Sequence, residues 1–168
     1  MRLFVAIELS PAMKASLIDV QNALYDRGIR GSYTPEENLH LTLAFLGELP
    51  EAQPVVDALQ RVRFTSFPLA LEGTGAFGDL WWAGLCPSPA LEALARRVCR
   101  SLAEGGIPFD RKRFSPHVTL LRRAKGDLPG IGPVSASMTA EAFSLFRSDR
   151  GKKGMIYTEL ASFPAEGP

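Results

Sequence analysis

The chain has 168 residues, 46% of them hydrophobic, and a formal net charge of +1. That composition suffices for a buried core in one domain or two small lobes, and a charge near zero argues against a protein that coats nucleic acid nonspecifically. No apolar run approaches the roughly 20 residues that cross a bilayer. The opening residues read as a strand and not as a cleavable leader, so the expected location is the cytoplasm.

Charge is unevenly spread. Residues 1–84 carry 6 Lys/Arg against 10 Asp/Glu, whereas residues 85–168 carry 13 against 8, so the second half is the basic one. Cys86 and Cys99 form no CxxC pair and lie among apolar residues, which predicts reduced thiols. With two histidines and no cysteine cluster, the ligands for a closed zinc site are too few, and neither a metal nor another cofactor is expected.

In chain order, residues 2–8 concentrate apolar side chains as a strand does. Ser10-Pro11 supplies a helix N-cap with proline at the first helical position. Met13, Leu17, Val20 and Leu24 then line one helix face up to Gly28. Residues 29–38 read as a polar connection, and Leu39–Leu46 as a strongly apolar strand. A second helix is predicted over residues 51–63 and a strand over Phe67–Leu71, with Gly73, Gly75 and Gly78 marking a loop.

The sequence then repeats. Leu80–Leu85 reads as a strand, Ser88-Pro89-Ala90 copies Ser10-Pro11-Ala12, and Leu91, Ala95, Val98 and Leu102 give a second helical stripe before Gly106. A Gly/Pro-rich loop (126–133) follows the second half's central strand. Two final strands, 136–146 and 155–163, are joined by a polar turn over 148–154. The expected fold is α+β: a single bilobal domain over residues 1–168, with an internal repeat of about 1–78 and 79–168. Its two pseudo-symmetric lobes are mainly antiparallel sheet, with helices outside and an active-site cleft between them.

The repeat carries a motif. Leu39-His40-Leu41-Thr42-Leu43 returns as Pro116-His117-Val118-Thr119-Leu120, and these are the only two histidines. Alternation along a strand puts His40 and Thr42 on one face with Leu41 and Leu43 on the other, and likewise His117 and Thr119 above Val118 and Leu120. A pseudo-two-fold arrangement brings both pairs to opposite walls of one cleft. A lone His-x-Thr on an apolar strand is more often structural than catalytic. Its duplication, using every histidine available, favours chemistry.

Two imidazoles and two hydroxyls suit cleavage of a phosphodiester. One imidazole takes a proton from water and the other gives one to the departing oxygen, near neutral pH and without a metal. The hydroxyls donate to nonbridging oxygens as charge builds in the transition state. The residues alone leave open which histidine is acid and which is base. Neither a Gly-x-Ser-x-Gly elbow nor a GxxxxGK[ST] loop is present.

The twin His-x-Thr motifs resemble those of the 2H phosphoesterases. Arg2-Leu3-Phe4-Val5-Ala6-Ile7, Pro35-Glu36-Glu37-Asn38 before the first motif, Phe114-Ser115 before the second, and Tyr157-Thr158-Glu159-Leu160-Ala161-Ser162-Phe163-Pro164 are similar to the RNA 2′,3′-cyclic phosphodiesterase branch, also called 2′-5′ RNA ligases. The resemblance implies hydrolysis of a 2′,3′-cyclic phosphate RNA end to a 2′-phosphate, with His40 as proton donor and His117 as acceptor. The reverse reaction would form a 2′-5′ link.

The resemblance also implies that Arg122 touches the phosphate and that Tyr33 stacks on a base. Strict alternation sends Arg122 to the face opposite Thr119, so its participation requires a bulge. Phe45, five residues after His40, is a further candidate with the same difficulty, and pattern alone places it in the core. The competing readings are a phosphodiesterase of small cyclic nucleotides and a noncatalytic RNA-end binder. The expected partner is RNA, with no membrane, and the absence of a heptad repeat or large apolar stripe points to a monomer.

Overall fold

The computed structural model describes residues 1–131 and 135–167. The end of the predicted Gly/Pro-rich loop, residues 132 and 133, therefore lies outside the described residues.

The duplicated Ser-Pro signals act as anticipated. The Ser10 hydroxyl accepts from the Met13 amide at 3.2 Å and opens α1 (Pro11–Asp26). The Ser88 hydroxyl accepts from the Leu91 amide at 3.1 Å and opens α3 (Pro89–Glu104). Each cap satisfies an amide that the helix itself leaves without a partner. The chain leaves both helices through glycines in the left-handed region, Gly28 at φ 83° and Gly106 at φ 71°. The predicted apolar stripes of both helices are buried.

Nine strands form two antiparallel sheets among the described residues. One has the order β3 (His40–Glu48), β1 (Arg2–Glu8), β8 (Ala142–Gly151), β9 (Gly154–Pro164). The other runs β2 (Arg30–Tyr33), β6 (His117–Lys125), β5 (Leu80–Leu85), β4 (Phe67–Phe77), β7 (Ser137–Ala140). Each sheet thus contains strands from both halves of the sequence. Helix α1 packs on β6 and β7, and α3 packs on β3, β4 and the short helix α2 (Gln53–Leu59). The layers are helices, core and open sheet face, an α+β fold as expected.

Several element boundaries differ from the sequence reading. Helix α2 stops at Leu59 because the chain tightens, with Arg61 and Val62 bonded back three residues instead of four, and turns to bury Phe64. Strand β4 continues to Phe77 through two of the glycines read as a loop. Gly73, at φ 70°, sits at a break in the register between Leu71 and Thr74. At Gly75 the Trp82 ring covers the backbone so closely that a Cβ would come within 2.4 Å of it. Only Gly78 serves the turn.

The strand predicted over 136–146 is two strands. The break at Glu141 carries the chain from one sheet to the other, and unbroken extended polarity gave no sign of the crossing. The predicted polar connection contains β2, an exposed edge strand whose hydrogen bonds to β6 are made by backbone and leave little trace in the side chains.

Candidate active site

His40 and His117 occupy matching places at the starts of β3 and β6, two strands in contact with each other. His40 Nδ1 lies 2.7 Å from the carbonyl oxygen of Asn38, and His117 Nδ1 lies 2.7 Å from that of Ser115. A carbonyl only accepts, so each Nδ1 is the donor, and the other nitrogen, Nε2, is the one left for chemistry. His40 Nε2 lies 2.9 Å from the Thr42 hydroxyl, which donates to it while the ring is neutral.

The two motifs share a second feature, one that alternation along a strand does not predict. In β3, Thr42 pairs with Ala6 and Ala44 with Val5, leaving Leu43 as an extra residue. In β6, Thr119 pairs with Trp82 and Leu121 with Trp81, leaving Leu120 extra. Each is a β-bulge three residues after its histidine, and each reverses the facing of the residues that directly follow it. Leu43 and Ala44 are both buried, as are Leu120 and Leu121.

The bulges return Phe45 and Arg122 to the side of the histidines. Phe45 pairs with Phe4 across the sheet, in the same row sequence as Thr42 with Ala6 and His40 with Glu8. It is 52% exposed on that face, which overturns the core place that pattern gave it. Arg122 is exposed, and its positive charge reaches His40.

Tyr33 is placed elsewhere. It pairs with Leu121, which points into the core, and so lies on the opposite face of β6 from His117 and Thr119. Its hydroxyl donates to the Ile29 carbonyl at 3.0 Å, and its ring meets Tyr25 edge-on at 6.2 Å. The base-stacking role expected for Tyr33 is therefore not met by its position, because the β2–β6 register turns its ring away from the cleft.

Aromatic rings that sequence reasoning did not single out flank both imidazoles. His40 lies 4.9 Å from Phe4 and 5.2 Å from Tyr157, edge-on. His117 lies 5.2 Å from Phe77, also edge-on, and 6.5 Å from Trp82. Tyr157 comes from β9, at the far end of the chain, so no local signal could have linked it to His40. Asn38 was also passed over. It is buried, its carbonyl orients His40, and its side-chain amide donates to the Met155 carbonyl at 2.9 Å, tying the motif to β9.

Burial pushes the His40 imidazole down to about 4, with the charges of Arg122, His117 and Lys14 acting in the same direction and the Asn38 carbonyl opposing them. The free site thus holds a neutral His40 at pH 7. Among the described residues no group of three or more His, Cys, Asp or Glu could hold a metal ion. The arrangement offers two Nε2 atoms, two hydroxyls and a guanidinium, a set able to move two protons around a bound anion.

The family of LigT-like phosphoesterases matches residues 7–80 and 85–157. The chain belongs to that family. This LigT-like phosphoesterase is 36% identical over 185 residues to the RNA 2′,3′-cyclic phosphodiesterase of Thermus thermophilus, covering 99% of this chain and 91% of the relative. It is 30% identical over 184 residues to the RNA 2′,3′-cyclic phosphodiesterase of Geobacillus stearothermophilus, covering 98% of this chain but 57% of that longer protein. The crystal structure of E. coli LigT complexed with 3′-AMP superposes with a TM-score of 0.85 at 29% identity, over 99% of this chain and 98% of the other.

Proposed function

We propose that this LigT-like phosphoesterase hydrolyses a 2′,3′-cyclic phosphate at the end of an RNA, without a metal, leaving a 2′-phosphate. The observation that carries this reading is the duplicated constellation itself. Both Nδ1 atoms are fixed by a carbonyl two residues earlier, both strands bulge at the same place, and family relatives carry the corresponding name.

In the reaction, His117 Nε2 takes a proton from water as its oxygen attacks phosphorus, and His40 Nε2 gives a proton to O3′ as the P–O3′ bond breaks. The Thr42 and Thr119 hydroxyls and the Arg122 guanidinium stabilise the charge that gathers on the nonbridging oxygens. His40 is neutral in the empty site, so this assignment requires the bound phosphodiester anion to draw a proton onto it. An anion beside an imidazole raises its proton affinity. With a 5′-hydroxyl in place of water as the attacking group, the same bond breaks and the same groups join two RNA ends through a 2′-5′ link.

The test is to incubate the protein, in excess chelator, with an oligonucleotide and with a mononucleotide bearing the same cyclic end. The reading expects a 2′-monoester product and faster turnover of the oligonucleotide. A 3′-monoester product or no turnover in chelator contradicts it, and equal rates point to small nucleotides as substrates.

A further inference from the structure

Register places Asn38 and Met155 at opposite corners of the sheet that holds His40. His40 pairs with Glu8, so Asn38 lies beyond that end of β1. Arg2 pairs with Ser148, and Arg150, two residues further on, pairs with Met155, which therefore lies beyond the other end. In a flat sheet the seven residues of β1 would hold these corners about 20 Å apart. The Asn38 side-chain amide nevertheless donates to the Met155 carbonyl at 2.9 Å. Twist and coiling of the sheet thus fold the two corners together, and the tip of the β8–β9 hairpin is pinned beside the first motif.

That tip is basic. Gly151 pairs with Gly154, so Lys152 and Lys153 form a two-residue turn at its extremity. Arg150, Lys152 and Lys153 are exposed, and among the described residues none of them forms an ion pair. The adjacent carboxylate, Asp149, is held by Arg147 at 2.8 Å. Ser148 pairs with Tyr157, and Arg150 follows two places later, so Arg150 shares the face of Tyr157. The Tyr157 ring meets His40 at 5.2 Å, which puts Arg150 on the catalytic face, about 7 Å along the strand from the Ser148–Tyr157 pair. Glu8, Glu37 and Glu159 line a cavity beside His40 and turn a strand's phosphates away from it, toward the tip.

We propose that Arg150, Lys152 and Lys153 bind the internucleotide phosphates of the RNA strand that leads into the cyclic end. The proposal rests on the hydrolysis reading above, in which water attacks phosphorus in line with the departing O3′. The ribose therefore lies on the leaving-group side of the phosphate, which is the side of His40. The rest of the RNA continues from O5′ of that ribose, so the strand leaves the cleft past the corner where the tip is pinned. Charges on a hairpin turn contact phosphates without reading bases, and they add affinity only where a substrate has phosphates beyond the cyclic one.

The test compares a 2′,3′-cyclic mononucleotide with a single-stranded oligonucleotide bearing the same cyclic end. The variant combines Arg150→Ala, Lys152→Ala and Lys153→Ala. Its kcat/KM for the oligonucleotide should fall about tenfold through KM, the combined weight of three exposed ion pairs. Its kcat/KM for the mononucleotide should stay within about twofold, which also reports a folded site. For the oligonucleotide, the slope of log kcat/KM against log salt should become shallower by about 2, at about 0.7 per phosphate contact. A charge-matched variant on the helical side, combining Arg61→Ala, Arg96→Ala and Arg100→Ala, should keep the oligonucleotide rate. An unchanged oligonucleotide rate in the tip variant, an equal loss on both substrates, or the same loss in the charge-matched variant would overturn the assignment and leave the hydrolysis reading intact. Hydrolysis of neither substrate by the unaltered protein would overturn both.

Discussion

The side-chain amide of Gln21, on α1, donates to the backbone carbonyl of Leu120 at 2.8 Å. Leu120 is the extra residue of the β6 bulge, and its carbonyl also receives the Thr34 amide at 2.9 Å. Gln21 is buried and donates as well to the Thr34 carbonyl at 2.9 Å. A helix residue 99 positions away thus gives a second donor to the carbonyl of the bulge residue, and the bulge turns Arg122 toward the histidines.

Gln21→Leu should therefore act through Arg122. Losing one of the two donors to the Leu120 carbonyl together with the donor to the Thr34 carbonyl costs about 1–3 kcal/mol, and a relaxed bulge lets Arg122 turn away. The expected result is a loss of about tenfold in kcat/KM, comparable to that of Arg122→Ala. In a double-mutant cycle the two losses should not add. Full additivity would show that the two residues act independently.

A titration of the His40 ring by NMR should give a value of about 4 in the free protein. Adding a non-hydrolysable phosphate monoanion should move it upward, because the anion favours the charged ring. A value that stays put on binding would remove the basis for His40 as the proton donor.

The same depressed value has a consequence for stability. The unfolded chain's histidine protonates near pH 6.5, while His40 in the folded protein resists until about 4. Between those values the unfolded state binds more protons, so stability present above pH 6.5 drains away as the pH falls toward 4, by about 3 kcal/mol from this residue. Denaturant unfolding at pH 7 and pH 4.5 should show the loss, and His40→Gln should reduce it. An equal loss in the variant would assign the acid sensitivity to other groups.

The duplicated caps should be interchangeable in energy. Ser10→Ala and Ser88→Ala each remove one hydroxyl acceptor from a helix start and should each cost about 1 kcal/mol, read from chemical denaturation. A negligible loss at either position would mean that its helix is held by packing alone.

These contacts also show what a sequence can and cannot reveal here. Ser10, Ser88 and the helical stripes behind them are local signals, and local physics reads them correctly. The placing of His40 with Thr42, and of His117 with Thr119, is likewise a two-residue rule. Beyond the third residue the rule fails, because the bulges depend on partners such as Gln21 that are distant along the chain. Arg122 and Phe45 looked misplaced for that reason.

Gly73 and Gly75 were misread for a related one. Glycine marks freedom of the backbone, but at these positions the freedom serves a register break and the Trp82 ring, neither of which is local. Tyr33 shows the converse failure: its place in the sequence matched a stacking residue, and only the β2–β6 register reveals that it points elsewhere.

The most direct test of the whole account is the turnover of a cyclic-phosphate RNA end by His40→Ala and His117→Ala, each compared with the unaltered protein for folding by circular dichroism. General acid and general base contributions predict a loss of at least about 10²-fold in each folded variant. A folded variant of either kind that retains full activity would contradict the two-histidine reaction.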